Sequence, residues 1–221
     1  MELIEYPDAE MMMMDLANRI AGELNTHLLE HDTVSLAVPG GTTPGPMFDA
    51  LSAADLDWPR VNVLLTDERR VPADHPRSNE RLVRERLLTG RAAKANFIRL
   101  VPETDNDWPE VLDKLAKDLP ISILLLGMGA DMHTASLFPG APELPAALDA
   151  HAPAMMAITP SGGDLEPRLS LTAPVLKHAM STHVLISGDA KREALEKARK
   201  LGAEDAPIST VLGHAVIHWA P

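Results

Sequence analysis

A histidine and an aspartate two residues apart lie in a glycine-rich stretch, and together they could act as a general base. The stretch runs from Gly127 to Ser136 and contains Asp131 and His133. A carboxylate beside an imidazole can orient the ring and raise its basicity. A histidine in a loop more often caps a helix or bonds to backbone, but its position after a strongly apolar run favours a functional role. We predict that His133 and Asp131 are catalytic.

A second stretch, Gly40-Gly41-Thr42-Thr43, has the composition of a phosphate cradle. Its two glycines would let the backbone approach a ligand closely. The helix expected after it would direct amide donors and its positive end towards an anion. The stretch is neither a Walker loop nor a complete G-x-G-x-x-G, so it gives no support to ATP or NAD binding. A plain turn capped by threonine is the alternative.

Charged residues follow the apolar run Val61–Leu65 without a break, in Thr66-Asp67-Glu68-Arg69-Arg70. Charges at the end of a buried strand are costly unless they are paired or solvated. Arg69 could bind two phosphate oxygens at once, and Ser78 and Asn79 lie a little further along. A surface ion-pair cluster explains the same residues equally well.

Other chemistry finds little support in the sequence. The absence of cysteine excludes disulfides, thiolate nucleophiles and Cys-based metal sites. His27 and His31 lie one helical turn apart and could meet a metal ion, but no third ligand is evident. His214 and His218 have the same spacing without a comparable context, and we interpret them as structural.

Serine nucleophiles are equally poorly supported, because Ser136 and Ser161 do not lie in a G-x-S-x-G motif.

The charge balance argues against nucleic acid as a partner, since 20 Lys and Arg against 32 Asp and Glu give a net charge of −12. No apolar run approaches the roughly 20 residues of a membrane span. Met11–Met14 is too short and too acidic in its flanks for a signal peptide. We therefore expect a cytoplasmic protein that binds a small molecule.

Short apolar runs alternate with longer amphipathic ones, which predicts one α/β domain over residues 1–221 with a mostly parallel sheet. Clusters of glycine and proline follow several of the strands, where open parallel sheets place their ligands. We predict strands at Leu3–Tyr6, Thr33–Val38, Val61–Leu65, Phe97–Leu100, Ile121–Leu126, Met155–Ile158, Leu169–Thr172, His183–Ser187 and Ala215–Trp219. We predict helices at Ala9–Glu30 with Asp8 as N-cap, up to Leu51, at Asn79–Leu88, at Trp108–Asp118, and at Asp189–Leu201 with Gly202 just beyond its end.

Taken together, these segments resemble the 6-phosphogluconolactonase family. The likeness keeps the family's order and covers nearly the whole chain. It is carried by Val38–Pro44, Trp58–Val61, Thr66–Pro72 with His75 and Ser78-Asn79, and Leu126–Gly140, and more weakly by Arg168–Thr172, Gly188 with Lys191, and Trp219.

The resemblance implies a modified Rossmann-like, mostly parallel sheet with helices on both faces, of the kind shared with glucosamine-6-phosphate deaminases. It implies hydrolysis of 6-phosphoglucono-δ-lactone in the pentose phosphate pathway, without a metal or organic cofactor, by a monomer or small homo-oligomer. His133 would be the general base, with Asp131 beside it. The residues that would hold the sugar-phosphate lactone are Gly40, Gly41, Thr42, Thr43, Asp67, Arg69, Ser78, Asn79, Arg168 and Lys191.

The chain departs from the family at Met132, where a glycine usually precedes the histidine. Glycine at such a position indicates a positive φ or a close backbone approach, and methionine at positive φ costs about 1 kcal/mol or more. We therefore expect either a different path for the loop or a position that does not need positive φ.

Two other functions stay open at this point. A deaminase or isomerase acting on an amino-sugar phosphate would share the cradle and the loop histidine, but Thr134–Phe138 supplies no carboxylate after His133. A non-catalytic sugar-phosphate sensor would need a DNA-binding module, and the chain has no basic recognition helix.

Overall fold

The computed structural model describes residues 1–102, 104–160 and 166–221, so that Ser161 lies outside the described residues. The strands are β1 (Glu2–Glu5), β2 (Val34–Val38), β3 (Val61–Leu65), β4 (Asp67–Arg69), β5 (Asn96–Ile98), β6 (Ile123–Gly127), β7 (Met155–Ile158), β8 (Arg168–Leu171), β9 (Ser181–Ser187) and β10 (Val216–Ala220). The α-helices are α1 (Ala9–Glu30), α2 (Gly45–Ser52), α3 (Asn79–Arg86), α4 (Trp108–Lys117), α5 (Leu144–Leu148), α6 (Ala173–Lys177), α7 (Asp189–Ala198) and α8 (Ser209–Leu212).

A seven-stranded parallel sheet, flanked by helices, forms the main layer of the fold. Its order is β1-β10-β9-β6-β2-β3-β5. After β2 the chain adds β3 and β5 on one side, and later β6, β9 and β10 on the other. The direction therefore reverses between β2 and β6, and such a switch point opens a crevice outside the carboxyl ends of the two strands. The predicted α/β class and parallel sheet are confirmed.

The long helix α1 packs against α2 and the sheet strands β2, β6 and β10. It begins as predicted, because the side chain of Asp8 accepts a hydrogen bond of 2.8 Å from the amide of Met11. Met12, Leu16 and Ile20 recur at helical spacing and are fully buried. Burying each such side chain contributes about 1.5–3 kcal/mol, which fixes α1 on the sheet.

A second, three-stranded antiparallel sheet of β4, β8 and β7 was not predicted. Residues 66–70 were interpreted as a polar stretch after β3, whereas Asp67–Arg69 forms the strand β4, with Asp67 opposite Ser170 of β8. A three-residue strand has no measurable periodicity, and its partner lies about a hundred residues away. Since β4 follows β3 after one residue, the small sheet stands beside the carboxyl edge of the main one.

The ends of several elements differ from the predicted ones. Helix α7 ends at Ala198 rather than Leu201, because Lys200 and Leu201 make tighter backbone bonds to residues three positions back. Gly202 is therefore not its C-terminal neighbour. The helices α5, α6 and α8 span four or five residues each and were missed for the same reason as β4. In the part of the chain that the structure describes, no helix is both long and apolar enough to cross a membrane.

Candidate active site

The loops after β2 and β6 enclose a pocket at the switch point of the main sheet, and β4, α3, β8 and α7 contribute to its wall. Its cavity volume is about 210 Å³, somewhat below the range of about 300–1,000 Å³ that is usual for small-molecule sites. The lining residues are Pro39, Gly40, Gly41, Thr43, Pro44, Asp67, Arg69, Asn79, Gly127, Met128, Gly129, His133, Ala135, Arg168, Leu185 and Lys191. Most of the residues predicted from the sequence thus meet in one place.

Asp131 and His133 form a hydrogen-bonded pair at the pocket. Nδ1 of His133 lies 2.5 Å from Oδ1 of Asp131. A carboxylate can only accept, so Nδ1 carries the proton and Nε2 is left as the proton acceptor of the ring. The hydrogen bond from His133 outweighs the effect of burial and lowers the pKa of Asp131. Asp131 does not itself line the wall, and it acts on the pocket through the imidazole.

The close packing of this pair depends on Gly129. A Cβ atom at that position would collide with Nδ1 of His133 and Oδ1 of Asp131, so a side chain there would displace the pair. Phe138 packs against the imidazole, with 4.7 Å between the ring centroids. The glycine-rich sequence therefore serves a close approach of side chains in addition to a turn.

Met132 has a φ of 67°, so the expectation that this position does not need positive φ was wrong. The left-handed backbone is present with a methionine in it, and Ala135 is also left-handed, with a φ of 48°. Three backbone hydrogen bonds hold the loop. The amide of Met132 donates to the carbonyl of Gly129 at 3.0 Å, and the amide of Gly129 donates to the carbonyl of His133 at 3.0 Å. The amide of Ile208 donates to the carbonyl of Met132 at 3.2 Å. They offset the cost of about 1 kcal/mol for a non-glycine residue in this conformation.

Three cationic side chains, Arg69, Arg168 and Lys191, face the same pocket. Arg168 is only 7% exposed, and its Nη1 lies 3.8 Å from Oδ2 of Asp67. Within the described residues the buried Nε atoms of Arg69 and Arg168 have no hydrogen-bond partner. Burial lowers the pKa of Lys191 and of Arg168, and Asp67 opposes the effect on Arg168. Buried and half-buried cations, two of them with an unused donor, favour an anionic ligand.

Asp67 is tied to the loop that carries His133. Its Oδ2 accepts a hydrogen bond of 2.6 Å from the hydroxyl of Ser136, and the amide of Ser136 donates to the hydroxyl of Ser170 at 3.1 Å. All three residues are buried. Ser136 thus connects the loop after β6 to β4 and β8, which is consistent with the expectation that it is not a nucleophile.

Two predicted binding residues, Thr42 and Ser78, do not line the pocket. Thr42 is exposed, and its carbonyl accepts the amide of Gly45 at 3.4 Å. Ser78 is the buried N-cap of α3. The start of α2 also offers fewer amide donors than expected, because Pro44 and Pro46 have no N–H. The donors at this side of the pocket therefore come from the turn before the helix.

Glu68 belongs to this region but was not among the predicted site residues. It is 3% exposed, and its carboxylate accepts hydrogen bonds from the amides of Arg69 and Asn79, which both line the pocket. The sequence offered one signal, an acidic residue between two predicted binding residues.

Metal binding has no structural counterpart in the described ranges, where no three His, Asp or Glu side chains cluster as ligands. His27 and His31 stack with 6.2 Å between their ring centroids.

The whole chain is similar to known sugar-phosphate enzymes. A sequence model of the family described as glucosamine-6-phosphate isomerases/6-phosphogluconolactonase matches residues 7–219. A 6-phosphogluconolactonase from Rhizobium meliloti is 38% identical over 230 residues, which cover 100% of this chain and 98% of the relative.

Solved structures of related enzymes superpose on the chain over nearly its whole length. A 6-phosphogluconolactonase from Shewanella baltica superposes with a TM-score of 0.93 at 30% identity, covering 100% of this chain and 97% of the other. A monomeric glucosamine-6-phosphate deaminase of the NagB superfamily superposes with a TM-score of 0.81 at 18% identity, covering 100% and 97%. At that identity the second likeness shows a common fold only.

Proposed function

The chain belongs to the family of glucosamine-6-phosphate isomerases and 6-phosphogluconolactonases, and we propose that it is a 6-phosphogluconolactonase. It hydrolyses 6-phospho-D-glucono-1,5-lactone to 6-phospho-D-gluconate in the oxidative pentose phosphate pathway. The observation that carries this proposal is the Asp131–His133 pair, which faces the same pocket as three cationic side chains. Full-length relatives that bear this name support it.

His133 is the general base of the proposed reaction. Its Nε2 takes a proton from a water molecule while the water oxygen forms a bond to C1 of the lactone. The imidazolium that results is stabilised by the ionised Asp131. Collapse of the tetrahedral intermediate breaks the bond between C1 and the ring oxygen, and the imidazolium returns its proton to that oxygen. A δ-lactone is an activated ester, so a positioned base, typically worth 10²–10⁴-fold, is sufficient chemistry.

The phosphate of the substrate binds to Arg69, Arg168 and Lys191. Binding energy from this remote group positions the lactone carbonyl against His133. The same side chains create a local positive potential in a protein whose net charge is −12, and this potential attracts an anionic substrate. Gly40, Gly41, Thr43 and Asn79 complete the binding wall.

The oxyanion of the tetrahedral intermediate binds to the amides of Gly40 and Gly41. The loop after β6 is the other source of donors, but its amides at Gly129 and Met132 donate to carbonyl oxygens of the same loop. The amide of His133 lies 3.3 Å from the Asp131 carboxylate. Gly40 and Gly41 line the pocket, and within the described residues no hydrogen bond engages their amides, so these donors are available for substrate.

The protein works in the cytoplasm as a single domain, either as a monomer or as a small homo-oligomer. Its substrate and product are phosphorylated and stay in the compartment in which they form.

The test is hydrolysis of 6-phosphogluconolactone that is generated in situ, with the fast spontaneous reaction subtracted. We expect the parent protein to accelerate hydrolysis. Glucosamine 6-phosphate serves as the competing substrate, and we expect no release of ammonia from it. Ammonia release without lactone hydrolysis would contradict the proposal and assign the chain to the deaminases of the family. Binding of 6-phosphogluconate without any turnover would contradict it in favour of a sensor.

A further inference from the structure

The carboxylate of Glu68 is buried beneath the pocket and saturated with hydrogen-bond donors. Glu68 is the middle residue of β4 and is 3% exposed. Each of its two oxygens accepts two hydrogen bonds. The donors are the amides of Arg69 at 2.7 Å and Asn79 at 2.9 Å on Oε1, and the amide of Glu80 at 2.7 Å and the hydroxyl of Ser78 at 3.1 Å on Oε2. One buried side chain thus joins β4 to the first turn of α3.

Two of these four donors are the backbone amides of pocket residues. Arg69 and Asn79 both line the pocket, and both donate to Oε1 of Glu68. Their side chains are fixed in turn by carbonyl groups. Nη1 of Arg69 donates to the carbonyl of Arg77 at 2.5 Å, and Nδ2 of Asn79 donates to that of Asp67 at 2.9 Å.

The side chain of Asn79 lies directly against the turn after β2. A Cβ atom at Gly40 would collide with the side-chain amide of Asn79, so the turn after β2 is built directly against this side chain. A displacement of Asn79 would therefore also move the turn whose amides face the substrate.

We propose that Glu68 is a positioning residue for the substrate-binding wall, acting through Arg69 and Asn79 without touching the substrate. This inference rests on the proposed function. One carboxylate sets the spacing between two binding residues that belong to different elements, because its Oε1 holds both amides at once. The ionised form suits this role, since a proton on either oxygen would face a donor. Burial raises the pKa of Glu68, and the four hydrogen bonds oppose that effect.

Glu68→Gln tests the proposal, because the glutamine side chain keeps the size but replaces one acceptor oxygen with an NH₂ group. That group would face either the amide of Glu80 or the amides of Arg69 and Asn79. Each orientation places a donor against a donor and displaces the first turn of α3, to which Asn79 belongs. We expect KM for the phosphorylated lactone to rise about tenfold or more, with kcat within about threefold of the parent value. A purely structural role would instead lower kcat through a smaller folded fraction and leave KM unchanged, which would overturn the proposal.

The matched control is Glu80→Gln. Glu80 is also a buried carboxylate in the first turn of α3, 5% exposed, but it pairs with the Nε atoms of Arg84 and Arg99, at 2.9 Å each. We expect its KM to stay within about twofold of the parent value. A rise in KM equal to that of Glu68→Gln would overturn the proposal, because general disturbance of the helix end would then explain both.

A double-mutant cycle adds the decisive measurement. In the background Arg69→Ala/Asn79→Ala, Glu68→Gln should change kcat/KM by less than about twofold, since the residues through which it acts are already truncated. An undiminished effect in that background would overturn the proposal. Should Glu68→Gln fail to fold, Glu68→Asp takes its place, because it keeps the charge and draws the carboxylate back from its donors. The same rise in KM is expected.

Calorimetric binding of 6-phosphogluconate separates this proposal from the proposed function. A parent protein that binds this compound but does not hydrolyse the lactone would remove the lactonase proposal. Glu68 would then be judged by the dissociation constants, with the same expected ratios between the variants.

Discussion

In the part of the chain that the structure describes, two carboxylate–imidazole pairs are chemically similar and differently placed. Asp131 and His133 lie 2.5 Å apart at the pocket, where the histidine side chain is 32% exposed. Glu23 and His183 lie 3.1 Å apart between α1 and β9, where the histidine side chain is 2% exposed. The first ring keeps one nitrogen available to the pocket, and the second uses both nitrogens inside the protein.

The buried pair belongs to a continuous chain of polar side chains. The contacts run from Asp15 to Tyr6 at 2.6 Å, Tyr6 to His218 at 2.9 Å, His218 to His183 at 3.0 Å, and His183 to Glu23 at 3.1 Å. The hydroxyl of Tyr6 gives its proton to Asp15, so Nδ1 of His218 must donate to Tyr6. Nε2 of His218 is then left as an acceptor, and the ring of His183 lies between this nitrogen and the carboxylate of Glu23.

The comparison shows that the same two side-chain types serve as a base or as a structural link according to what surrounds the ring. A base needs a nitrogen that can exchange a proton with water or substrate. His133 has one because its loop lies at an open crevice. His183 and His218 lie on regular strands under a helix, and their hydrogen bonds satisfy polar groups that would otherwise be costly to bury.

The largest expected effect is that of His133→Ala on catalysis. Without a general base, the enzymatic rate above spontaneous hydrolysis should fall by at least about 10²-fold. The ring is partly exposed, so the thermal unfolding midpoint should stay close to that of the parent. Lactone hydrolysis and circular dichroism measure the two quantities, and a near-normal rate in this variant would remove His133 from the mechanism.

His183→Ala should have the opposite profile. It removes one hydrogen-bond partner from Glu23 and one from His218, which keep Ser181 and Tyr6 respectively, at a cost of about 1–3 kcal/mol in the free energy of unfolding. The kcat of the folded fraction should be unchanged, because the ring does not reach the pocket. Urea unfolding and activity per folded molecule test both parts. A loss of kcat without a loss of stability would show that the buried chain takes part in catalysis.

The pH dependence of stability should report the buried chain. Burial lowers the pKa of His218 to about 3, with His183 and Arg19 adding to the effect and Asp15 and Glu23 opposing it. Between these two pKa values the unfolded chain binds a proton at His218 and the folded protein does not. The contribution of neutral, buried His218 to stability is therefore lost as the pH falls from about 6.5 to about 3.

His218→Gln is the variant that isolates this contribution, because a glutamine amide can donate to Tyr6 and accept from His183 without titrating. Its free energy of unfolding should vary less with pH over that window than that of the parent. Parallel curves for the two proteins would show that His218 does not titrate with unfolding.

A smaller effect is expected from Asp131→Asn. The asparagine oxygen can still accept from Nδ1 of His133, but the charge that stabilises the imidazolium is lost. We expect kcat to fall about tenfold, whereas the matched change Glu23→Gln should leave kcat unaffected. Equal losses in the two variants would erase the distinction between the pairs.

The two regions also differ in what the sequence could reveal. The glycine-rich stretch around His133 follows a buried strand, and both features can be read locally, so the pocket and most of its wall were predictable. The buried chain depends on which residues of β9 and β10 become neighbours. His218 pairs with Leu185 in the strand register, and His183 with Val216, which no local pattern specifies. Glu68 was missed for a related reason. Three of its four hydrogen-bond donors belong to Ser78, Asn79 and Glu80, and the path of the loop that brings these residues back to β4 cannot be read from the sequence.

The smallest expected effect concerns the backbone that carries the exposed pair. Met132→Gly removes the cost of about 1 kcal/mol for a left-handed methionine, but glycine also gains about 0.4–1 kcal/mol of freedom in the unfolded chain, and the half-buried methionine contact with the core is lost. The free energy of unfolding should therefore change by less than about 1 kcal/mol. The rate should stay within about threefold, because three backbone hydrogen bonds fix the loop whichever side chain is present. A tenfold loss of rate would instead show that the Met132 side chain holds His133 in place, and that the exposed pair depends on packing as much as the buried one does.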